Sequence, residues 1–310
     1  MSIDKYNIDS DSMVTVHTSV LYHDDCTDGF GAAYAAWHFL GYAGVQYIPV
    51  QYGQPIDARV RDTQIYVLDF CYPKEQLIEL CSITAESVTI LDHHKTAIDM
   101  FNAWPIAERP DNLVAVTSTA QSGAILTWNE FSGYASTAPK LLFYIQDRDL
   151  WQFRLPQSKE INTAIGLLPK NIESFPLWQT ILANPSSPEN LAKDGRLLLT
   201  QLDRNCTALL KHALVCYLGP EGSRAIGSMV NAPAMYSSEL GNLLAVSSGT
   251  YGCTWQVVKD ASFYSGICIQ VSLRSIGDYD VESIARYYGG GGHKNASGFR
   301  LTLSGFWGLL

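Results

Sequence analysis

Acidic and histidine residues follow three apolar segments in the first half of this sequence. The first cluster is His-Asp-Asp at residues 23–25, the second position is the single residue Asp69, and the third is Asp-His-His at residues 92–94. These three positions are called the three clusters below. Each follows a short apolar segment of the kind that forms a buried strand. In open α/β sheets, ligands bind at the carboxyl ends of the strands. We therefore predict that the three clusters meet at one edge of a sheet.

Carboxylates and imidazoles in this combination suit divalent metal ions. The sequence has no C-x-x-C pair, so a Mn²⁺ or Mg²⁺ site fits better than a structural zinc site. Two such ions about 3.5–4 Å apart can activate a water molecule and stabilise a phosphoryl group during its displacement. A carboxylate such as Asp69 can bridge both ions. The clusters therefore predict a two-metal site for phosphate chemistry.

The elements that must position these clusters alternate between strand and helix. The predicted elements are strands over residues 14–22, 64–70 and 87–91, a helix from Phe30 and a helix over residues 74–81. This alternation predicts a doubly wound parallel sheet. A further helix is predicted to follow Pro139 and to end in Asp-Arg-Asp at residues 147–149. Acidic groups there oppose the helix dipole, a cost that a role as metal ligand would explain.

The second half of the chain is predicted to hold a smaller α/β domain. A break rich in proline and serine at residues 182–190 precedes a predicted long helix over residues 191–214. The elements predicted after it are strands over 253–258 and 267–273, a helix over 281–287 and a glycine run at 289–292. The predicted fold class is α/β, with a parallel-sheet domain and a smaller domain facing each other across a cleft. The predicted boundaries are 1–185 for the catalytic domain, 186–214 for the connecting helix and 215–310 for the substrate domain.

Composition and charge restrict the class of partner. The 310 residues are 47% hydrophobic and 16% charged, which suffices for two domains with apolar cores. The formal net charge of −9 and the lack of a long basic run argue against binding to long nucleic acid. A small anionic substrate held by metal ions fits better, because bound metal relieves the repulsion among acidic ligands.

Cysteine usage and the N-terminus indicate a cytoplasmic protein. The seven cysteines are odd in number and irregularly spaced, which argues against a disulfide framework. The acidic and polar residues 1–13 do not resemble a signal peptide. The longest weakly polar stretch, residues 29–45, is too short and too mixed for a membrane span. We therefore expect no membrane association, and the sequence leaves a homodimer open.

The ordered motifs carry a family resemblance. They are His-Asp-Asp-Cys-Thr-Asp-Gly at 23–29, Val-Leu-Asp at 67–69, Asp-His-His at 92–94 and Asp-Arg-Asp at 147–149. Near the C-terminus come Ser-Leu-Arg-Ser at 272–275 and Gly-Gly-Gly-Gly-His-Lys-Asn-Ala-Ser-Gly-Phe at 289–299. The first four resemble the DHH phosphoesterases, and the last two are similar to the DHH-associated domain. The resemblance covers nearly the whole chain, with both domains in order.

The resemblance implies a role for each matching residue. The implied ligands of two Mn²⁺ or Mg²⁺ ions are His23, Asp28, Asp69, His93 and Asp147. Asp69 would bridge the ions, His94 would face the substrate phosphate, and Asp92 would orient its neighbours. Asp69, His93 and His94 are therefore the implied catalytic residues. The implied substrate-binding residues of the second domain are Arg274, Gly290, Gly291, Gly292 and His293.

The first motif departs from the family pattern. Many members carry two aspartates separated by one residue just before the glycine, where this sequence has Cys26 and Asp28. We predict that Asp25 replaces the missing acid. Two alternatives stay open, namely that Cys26 is itself a ligand or that one metal is weakly held. The choice of Asp147 over Asp149 is open as well.

The expected function is hydrolysis of short oligonucleotides to nucleoside 5′-monophosphates. The resemblance also leaves open a phosphodiesterase for cyclic or linear dinucleotides and a phosphatase for 3′-phosphoadenosine 5′-phosphate. A different class is a degenerate regulator that binds a nucleotide without cleaving it, which the cysteine at position 26 would favour. Metal content and turnover of a dinucleotide would separate these classes.

Overall fold

The computed structural model of this chain describes residues 16–84, 86–220 and 225–308. Over these residues the chain forms two α/β domains, each built on its own sheet. The first domain has a five-stranded sheet of order β2-β1-β3-β4-β5, in which every neighbouring pair is parallel. Its strands are β1 (Thr18–His23), β2 (Val45–Val50), β3 (Gln64–Leu68), β4 (Val88–Asp92) and β5 (Leu113–Thr117).

Helices cover both faces of this sheet, because successive residues of a strand point to opposite sides. Val20 of β1 belongs to the same core cluster as Phe30, whereas the next residue, Leu21, belongs with Leu77 to the cluster on the other face. The helices of the first domain are α1 (Thr27–Leu40), α2 (Lys74–Ser82), α3 (Lys95–Ala103), α4 (Gly123–Ser132), α5 (Lys140–Asp149), α6 (Ser158–Ile165) and α7 (Phe175–Ala183).

The strand order places a topological switch between β1 and β3. From β1 the chain passes through α1 to β2 on one side, and then crosses to β3 on the other side of β1. Connections that leave neighbouring strands in opposite directions open a crevice at the carboxyl ends of those strands. His23 ends β1 and Asp69 directly follows β3. The sheet therefore brings the first two predicted clusters to this crevice.

A long helix, α8 (Ser187–Leu210), connects the two domains. Near its start it lies directly against α6, since a Cβ at Gly195 would meet the Glu160 carbonyl oxygen at 1.8 Å. Near its end, Cys206 is buried in a cluster with Leu240 of the second domain. The predicted break at residues 182–190 is wrong in its second half, because Pro188 is accommodated in the first turn of the helix.

The second domain is built on a mixed sheet of order β10-β11-β9-β8-β7-β6. Its strands are β6 (Leu214–Leu218), β7 (Ala225–Asn231), β8 (Tyr251–Lys259), β9 (Ile267–Ser275), β10 (Gly291–His293) and β11 (Ala296–Leu301). Its helices are α9 (Ser237–Ser248), α10 (Val281–Tyr287) and α11 (Leu303–Trp307). The glycine run leads into β10, which forms a hairpin with β11.

The predicted fold class is confirmed, with a parallel-sheet domain followed by a smaller α/β domain. The domain boundaries stay a prediction, although the connecting helix ends at Leu210 rather than at 214. Residues 1–13, which the sequence analysis compared with a signal peptide, lie outside the described residues. Within the described part of the chain, no helix combines the length and the apolar character needed to span a membrane.

Candidate metal centre and interdomain cleft

Three carboxylates of the described residues surround one ring nitrogen of His93. Its Nε2 atom lies 3.0 Å from Oδ1 of Asp69, 3.4 Å from Oδ2 of Asp149 and 3.6 Å from Oδ2 of Asp28. The His93 residue is 2% exposed, and Asp28 and Asp69 are each 1% exposed. Buried acids packed this closely repel one another unless a cation offsets their charge. The cluster therefore fits a divalent metal ion.

The pKa values of this cluster reflect burial and mutual repulsion. Burial raises the pKa of Asp28 well above its usual range, and the carboxylates of Asp69 and Asp149 raise it further. Burial by itself would lower the pKa of His93, but Asp149, Asp69 and Asp28 outweigh that effect and raise it to about 10. In the metal-free protein, a proton on His93 therefore supplies positive charge to the cluster.

Asp28 is held between the amino ends of two helices. It lies in the first turn of α1, and its carboxylate accepts backbone N–H groups from Gly123 at 2.6 Å and Ala124 at 3.1 Å, at the start of α4. The partial positive charge at a helix amino end stabilises such an anion. A Cβ at position 29 would meet the His23 carbonyl oxygen at 2.3 Å. Gly29 therefore allows Asp28 to lie this close to the end of β1.

Asp69 adopts a backbone conformation that aims its carboxylate at two histidines. Its φ of 61° lies in the left-handed region, where strain of about 1–3 kcal/mol persists only if the surroundings hold it. Oδ1 lies 3.0 Å from Nε2 of His93, and Oδ2 lies 3.6 Å from Nδ1 of His23. A Cβ at Gly123 would come within 2.6 Å of Oδ1, so a glycine is needed there. Asp69 thus has the two-sided position that a bridging ligand requires.

Four groups of possible metal ligands occur among the described residues, and two of them fit the predicted pair of ions. A nitrogen of His23, the sulfur of Cys26 and an oxygen of Asp69 lie within 4.8 Å of one another. The second group, within the same limit, consists of Asp28, His93 and Asp149. Buried polar atoms without a hydrogen-bond partner among the described residues include Nδ1 of His23, Oδ2 of Asp69, Nδ1 of His93 and Oδ2 of Asp149. Since such atoms are normally paired, both groups fit metal ions.

At the first motif, the structure brings Cys26 rather than Asp25 to the cluster. Asp25 is exposed, has a φ of 53° and belongs to none of the ligand groups found among the described residues. The structure therefore does not place Asp25 in the cluster as predicted, and the alternative that Cys26 is a ligand stays a prediction.

At the end of α5, the structure brings Asp149 rather than Asp147 to the cluster. The carboxylate of Asp147 instead accepts the backbone N–H groups of Arg154 at 2.8 Å and Leu155 at 3.1 Å, so it stabilises the following loop. Residues two apart on a helix point in different directions, at about 100° per residue. Because Asp149 faces His93, Asp147 cannot do so. This corrects the prediction of Asp147 as a ligand.

Asp92 orients the two histidines that follow it. Its Oδ1 atom accepts the backbone N–H of His93 at 2.8 Å and that of His94 at 3.2 Å, and it lies 2.7 Å from Nδ1 of His94. Burial opposes a charge on His94, but Asp92 outweighs burial and raises the pKa of that imidazole. His94 is therefore fixed as a donor toward Asp92, which leaves Nε2 as the ring nitrogen free to meet a substrate.

The second domain places His293 against this pair of histidines. The His293 ring stacks on His94 with centroids 4.4 Å apart and planes inclined by 16°, and its centroid lies 4.9 Å from that of His93. Burial lowers the pKa of His293 to about 2, and the neighbouring His94 and His93 contribute to that shift. The structure thus joins residues 200 positions apart in one cluster, and the role of His293 in substrate binding stays a prediction.

Arg274 lies near the end of β9, where it pairs with Ala296 of β11. Its guanidinium donates to the Leu273 carbonyl oxygen at 2.8 Å and to the Ser238 hydroxyl at 2.9 Å. Burial lowers the pKa of Arg274 to about 10. Its charge also contributes to lowering the pKa of His293, so the two groups are close. The role of Arg274 in substrate binding stays a prediction.

The glycine run lets the β10–β11 hairpin approach the first domain closely. A Cβ at Gly291 would come within 3.0 Å of Thr96 in α3, and a Cβ at Gly290 would meet the Gly298 carbonyl oxygen at 2.0 Å. Gly292 has a φ of 138°, which a side chain would disfavour. These glycines are therefore required by packing, and contact of their N–H groups with a substrate anion stays a prediction.

Ion pairs join the two domains on either side of the histidines. They are Lys95–Glu282 at 3.6 Å, Arg286–Asp99 at 3.3 Å and Arg148–Glu239 at 3.1 Å. The last pair lies next to the metal cluster in sequence, since Arg148 precedes Asp149. Charged side chains of both domains thus meet at the cleft, and one of them, Glu282, is only 2% exposed.

Sequence reasoning missed part of this site. The sequence analysis assigned no role to the amino end of α4, whose Gly123 and Ala124 N–H groups bind Asp28. A Ser-Gly-Ala sequence at a helix start is too common to indicate an anion site. Tyr52 was missed as well, although its ring lies 4.8 Å from that of His23 and 5.9 Å from that of His94. No motif marks either feature.

Comparison with known proteins assigns the class. No family model matches the chain. It is 31% identical over 310 residues to "Uncharacterized protein R106" of Acanthamoeba polyphaga mimivirus, covering 94% of this chain and 68% of that protein. It is 25% identical over 234 residues to "Oligoribonuclease NrnB" of Bacillus subtilis, covering 69% of this chain and 53% of that protein. The chain thus spans about two thirds and about half of the length of these relatives.

The fold agrees with these relationships. A crystal structure of RecJ in complex with Mn²⁺ from Thermus thermophilus matches 94% of this chain and 50% of its own, at 13% identity and a TM-score of 0.50. At that identity the likeness shows the fold alone. The sequence relatives and the ordered motifs place the chain in its class. The chain belongs to the DHH family of phosphoesterases.

Proposed function

We propose that this chain is a divalent-metal-dependent phosphodiesterase that hydrolyses short oligonucleotides to nucleoside 5′-monophosphates. The observation that supports the proposal most directly is the meeting of His293 with His93 and His94 beside the buried carboxylates. Ligands of phosphate from one domain thereby face metal ligands from the other. A substrate bound between the domains would contact both.

The proposed metal ligands are the residues that the structure gathers around Asp69. They are His23, Asp28, Asp69, His93 and Asp149, with Asp69 as the bridge. When bound, two divalent ions would activate the attacking water and offset the charge that develops on the phosphoryl oxygens. Asp92 holds His94 by its Nδ1 atom, so Nε2 of His94 can donate to a phosphate oxygen. This donor would strengthen as negative charge develops on the phosphate.

The charge of the chain favours a short substrate. The chain carries a net charge of −9 and has no long basic run, whereas binding to a long strand needs many cationic contacts with phosphate. Both features favour a substrate of a few nucleotides over a long strand.

The test is a substrate panel with the purified protein and Mn²⁺. The panel holds short oligoribonucleotides, cyclic and linear dinucleotides and 3′-phosphoadenosine 5′-phosphate, and chromatography identifies the products. We expect nucleoside 5′-monophosphates from the oligonucleotides and no product from Asp69→Asn. If the protein cleaves only cyclic dinucleotides, or only 3′-phosphoadenosine 5′-phosphate, the compound that it cleaves replaces short oligonucleotides as the proposed substrate. Tight nucleotide binding with no turnover by the wild type would instead identify a regulator.

A further inference from the structure

The two groups of ligand atoms around Asp69 differ in their chemistry. Asp28, His93 and Asp149 offer oxygen and nitrogen, whereas the other group adds the sulfur of Cys26. We propose that His23, Cys26 and Asp69 form a thiolate-containing subsite for Zn²⁺, while the oxygen-rich subsite takes Mn²⁺ or Mg²⁺. This inference rests on the proposed function, because it divides the two-metal centre between two different ions.

The geometry of the first subsite supports a bound ion. The ligand atoms of His23, Cys26 and Asp69 lie within 4.8 Å of one another, a spread that one ion at its centre can bridge. Nδ1 of His23 and Oδ2 of Asp69 are buried without a hydrogen-bond partner among the described residues. They lie 3.6 Å apart, too far for a hydrogen bond to each other. Since Asp69 is 1% exposed, its unpaired oxygen is costly unless a cation meets it.

Cys26 is not used for helix capping. It occupies the N-cap position of α1, and its carbonyl oxygen accepts the Phe30 N–H at 3.0 Å, as the first helical bond requires. Its side chain makes no capping hydrogen bond within the described structure. Serine, threonine, asparagine or aspartate would cap the helix better than cysteine. Capping therefore gives no reason for a thiol at this position, whereas ligation does.

Ligand chemistry selects the ion. Magnesium and manganese prefer oxygen ligands, whereas thiolate and imidazole favour zinc and other softer ions. Catalytic zinc sites keep three protein ligands and leave a fourth position for water or substrate. His23, Cys26 and Asp69 supply three such ligands. On binding, the thiol releases its proton to solvent and the sulfur ligates as thiolate, with no change of oxidation state.

Cys71 provides a matched control. It is the other cysteine of intermediate exposure, yet its Sγ atom donates to the Tyr72 carbonyl oxygen and belongs to none of the ligand groups in the described chain. Cys71→Ser therefore removes a thiol close to Asp69 in sequence without touching the subsite. Cys26→Asp replaces sulfur by carboxylate, and Cys26→Ser is a smaller change that keeps the shape of the side chain.

The experiment measures metal selectivity without relying on turnover. Metal-free wild type, Cys26→Asp, Cys26→Ser and Cys71→Ser are titrated with Zn²⁺ against a chromophoric chelator, and with Co²⁺ as a spectroscopic probe. We expect a sulfur-to-cobalt charge-transfer band in the wild type and in Cys71→Ser, and its absence in both Cys26 variants. Zinc affinity should fall at least about tenfold in the Cys26 variants, a conservative loss for a metal ligand. Thermal unfolding checks that each variant folds.

Alkylation mapping gives an independent readout. In the wild type, Zn²⁺ should protect Cys26 from iodoacetamide while Mg²⁺ should not, and peptide mass spectrometry locates the modified thiols. The proposal is overturned if Cys26→Asp and Cys26→Ser bind zinc as tightly as the wild type, or if zinc leaves Cys26 reactive. Oligonucleotide hydrolysis with Mn²⁺ in the wild type would then still support the proposed function. Conversely, protection of Cys26 by zinc without any hydrolysis of oligonucleotides would support the zinc subsite and refute the proposed enzymatic function.

Discussion

The protonation of His93 leads to a quantitative prediction about metal binding. Burial lowers the pKa of this imidazole, but the carboxylates of Asp149, Asp69 and Asp28 outweigh burial and raise the pKa from its ordinary 6.5 to about 10. A raised histidine pKa stabilises the metal-free fold fully below the unfolded value of 6.5, and this contribution is lost as pH rises through about 10. The same proton competes with a metal ion for Nε2.

The size of this competition follows from the shift. For each pH unit below the raised pKa of His93, metal binding loses about 1.4 kcal/mol of free energy, or a factor of ten in apparent affinity. The loss arises because one proton must leave His93 before the metal can bind. At about pH 7 the gap of roughly three units therefore weakens metal binding about a thousandfold relative to alkaline solution. Apparent Mn²⁺ affinity should rise about tenfold per unit between about pH 7 and 9.

Calorimetry in two buffers of different ionisation enthalpy measures this proton release. We expect at least one proton per chain to be released on addition of Mn²⁺ at neutral pH. In the metal-free protein, the ring resonance of His93 should titrate near pH 10, and in Asp69→Asn it should titrate lower, because that variant loses the carboxylate 3.0 Å away. Mn²⁺ affinity that stays flat from about pH 7 to 9, with no proton released, would refute the reasoning.

Three further predictions concern individual residues. Asp149→Asn should lower Mn²⁺-dependent turnover at least about 100-fold, whereas Asp147→Ala should keep metal binding and lose about 1–3 kcal/mol of unfolding free energy, because two backbone N–H groups lose their acceptor. Metal titration and urea unfolding compare the two variants. An equal loss of metal affinity in both would contradict the assignment of Asp149 as the ligand. Gly123→Ala should sharply reduce turnover while the chain stays folded, because the added Cβ would lie 2.6 Å from an oxygen of Asp69. An unchanged kcat would show that the close approach of Gly123 to Asp69 is not needed for catalysis. Arg274→Ala should lower kcat/KM for a short oligonucleotide far more than for bis-p-nitrophenyl phosphate, which offers little for the second domain to hold. If kcat/KM is unchanged for both substrates, the second domain does not bind substrate through Arg274.

Several features of the protein follow from its sequence alone. His23, Asp69 and His93 come at the ends of three apolar segments, and segments of that kind pack side by side in a parallel sheet whose carboxyl ends coincide. Their convergence therefore needs no knowledge of the packed structure beyond the strand prediction. Strands β8 and β9 and helix α10 of the second domain were predicted from local apolar patterns, whereas the hairpin that contains the glycine run was not predicted.

Tertiary structure decided which neighbour in each motif reaches the centre. The sequence offers both Asp147 and Asp149, and only the rotation of α5 against the sheet determines that Asp149 faces His93. It likewise offers Asp25 and Cys26, and the turn after β1 decides between them. Helical and turn propensities fix the spacing of side chains but not the direction in which a packed element presents them. That direction depends on the cores that hold the elements, which are built from residues far apart in the chain.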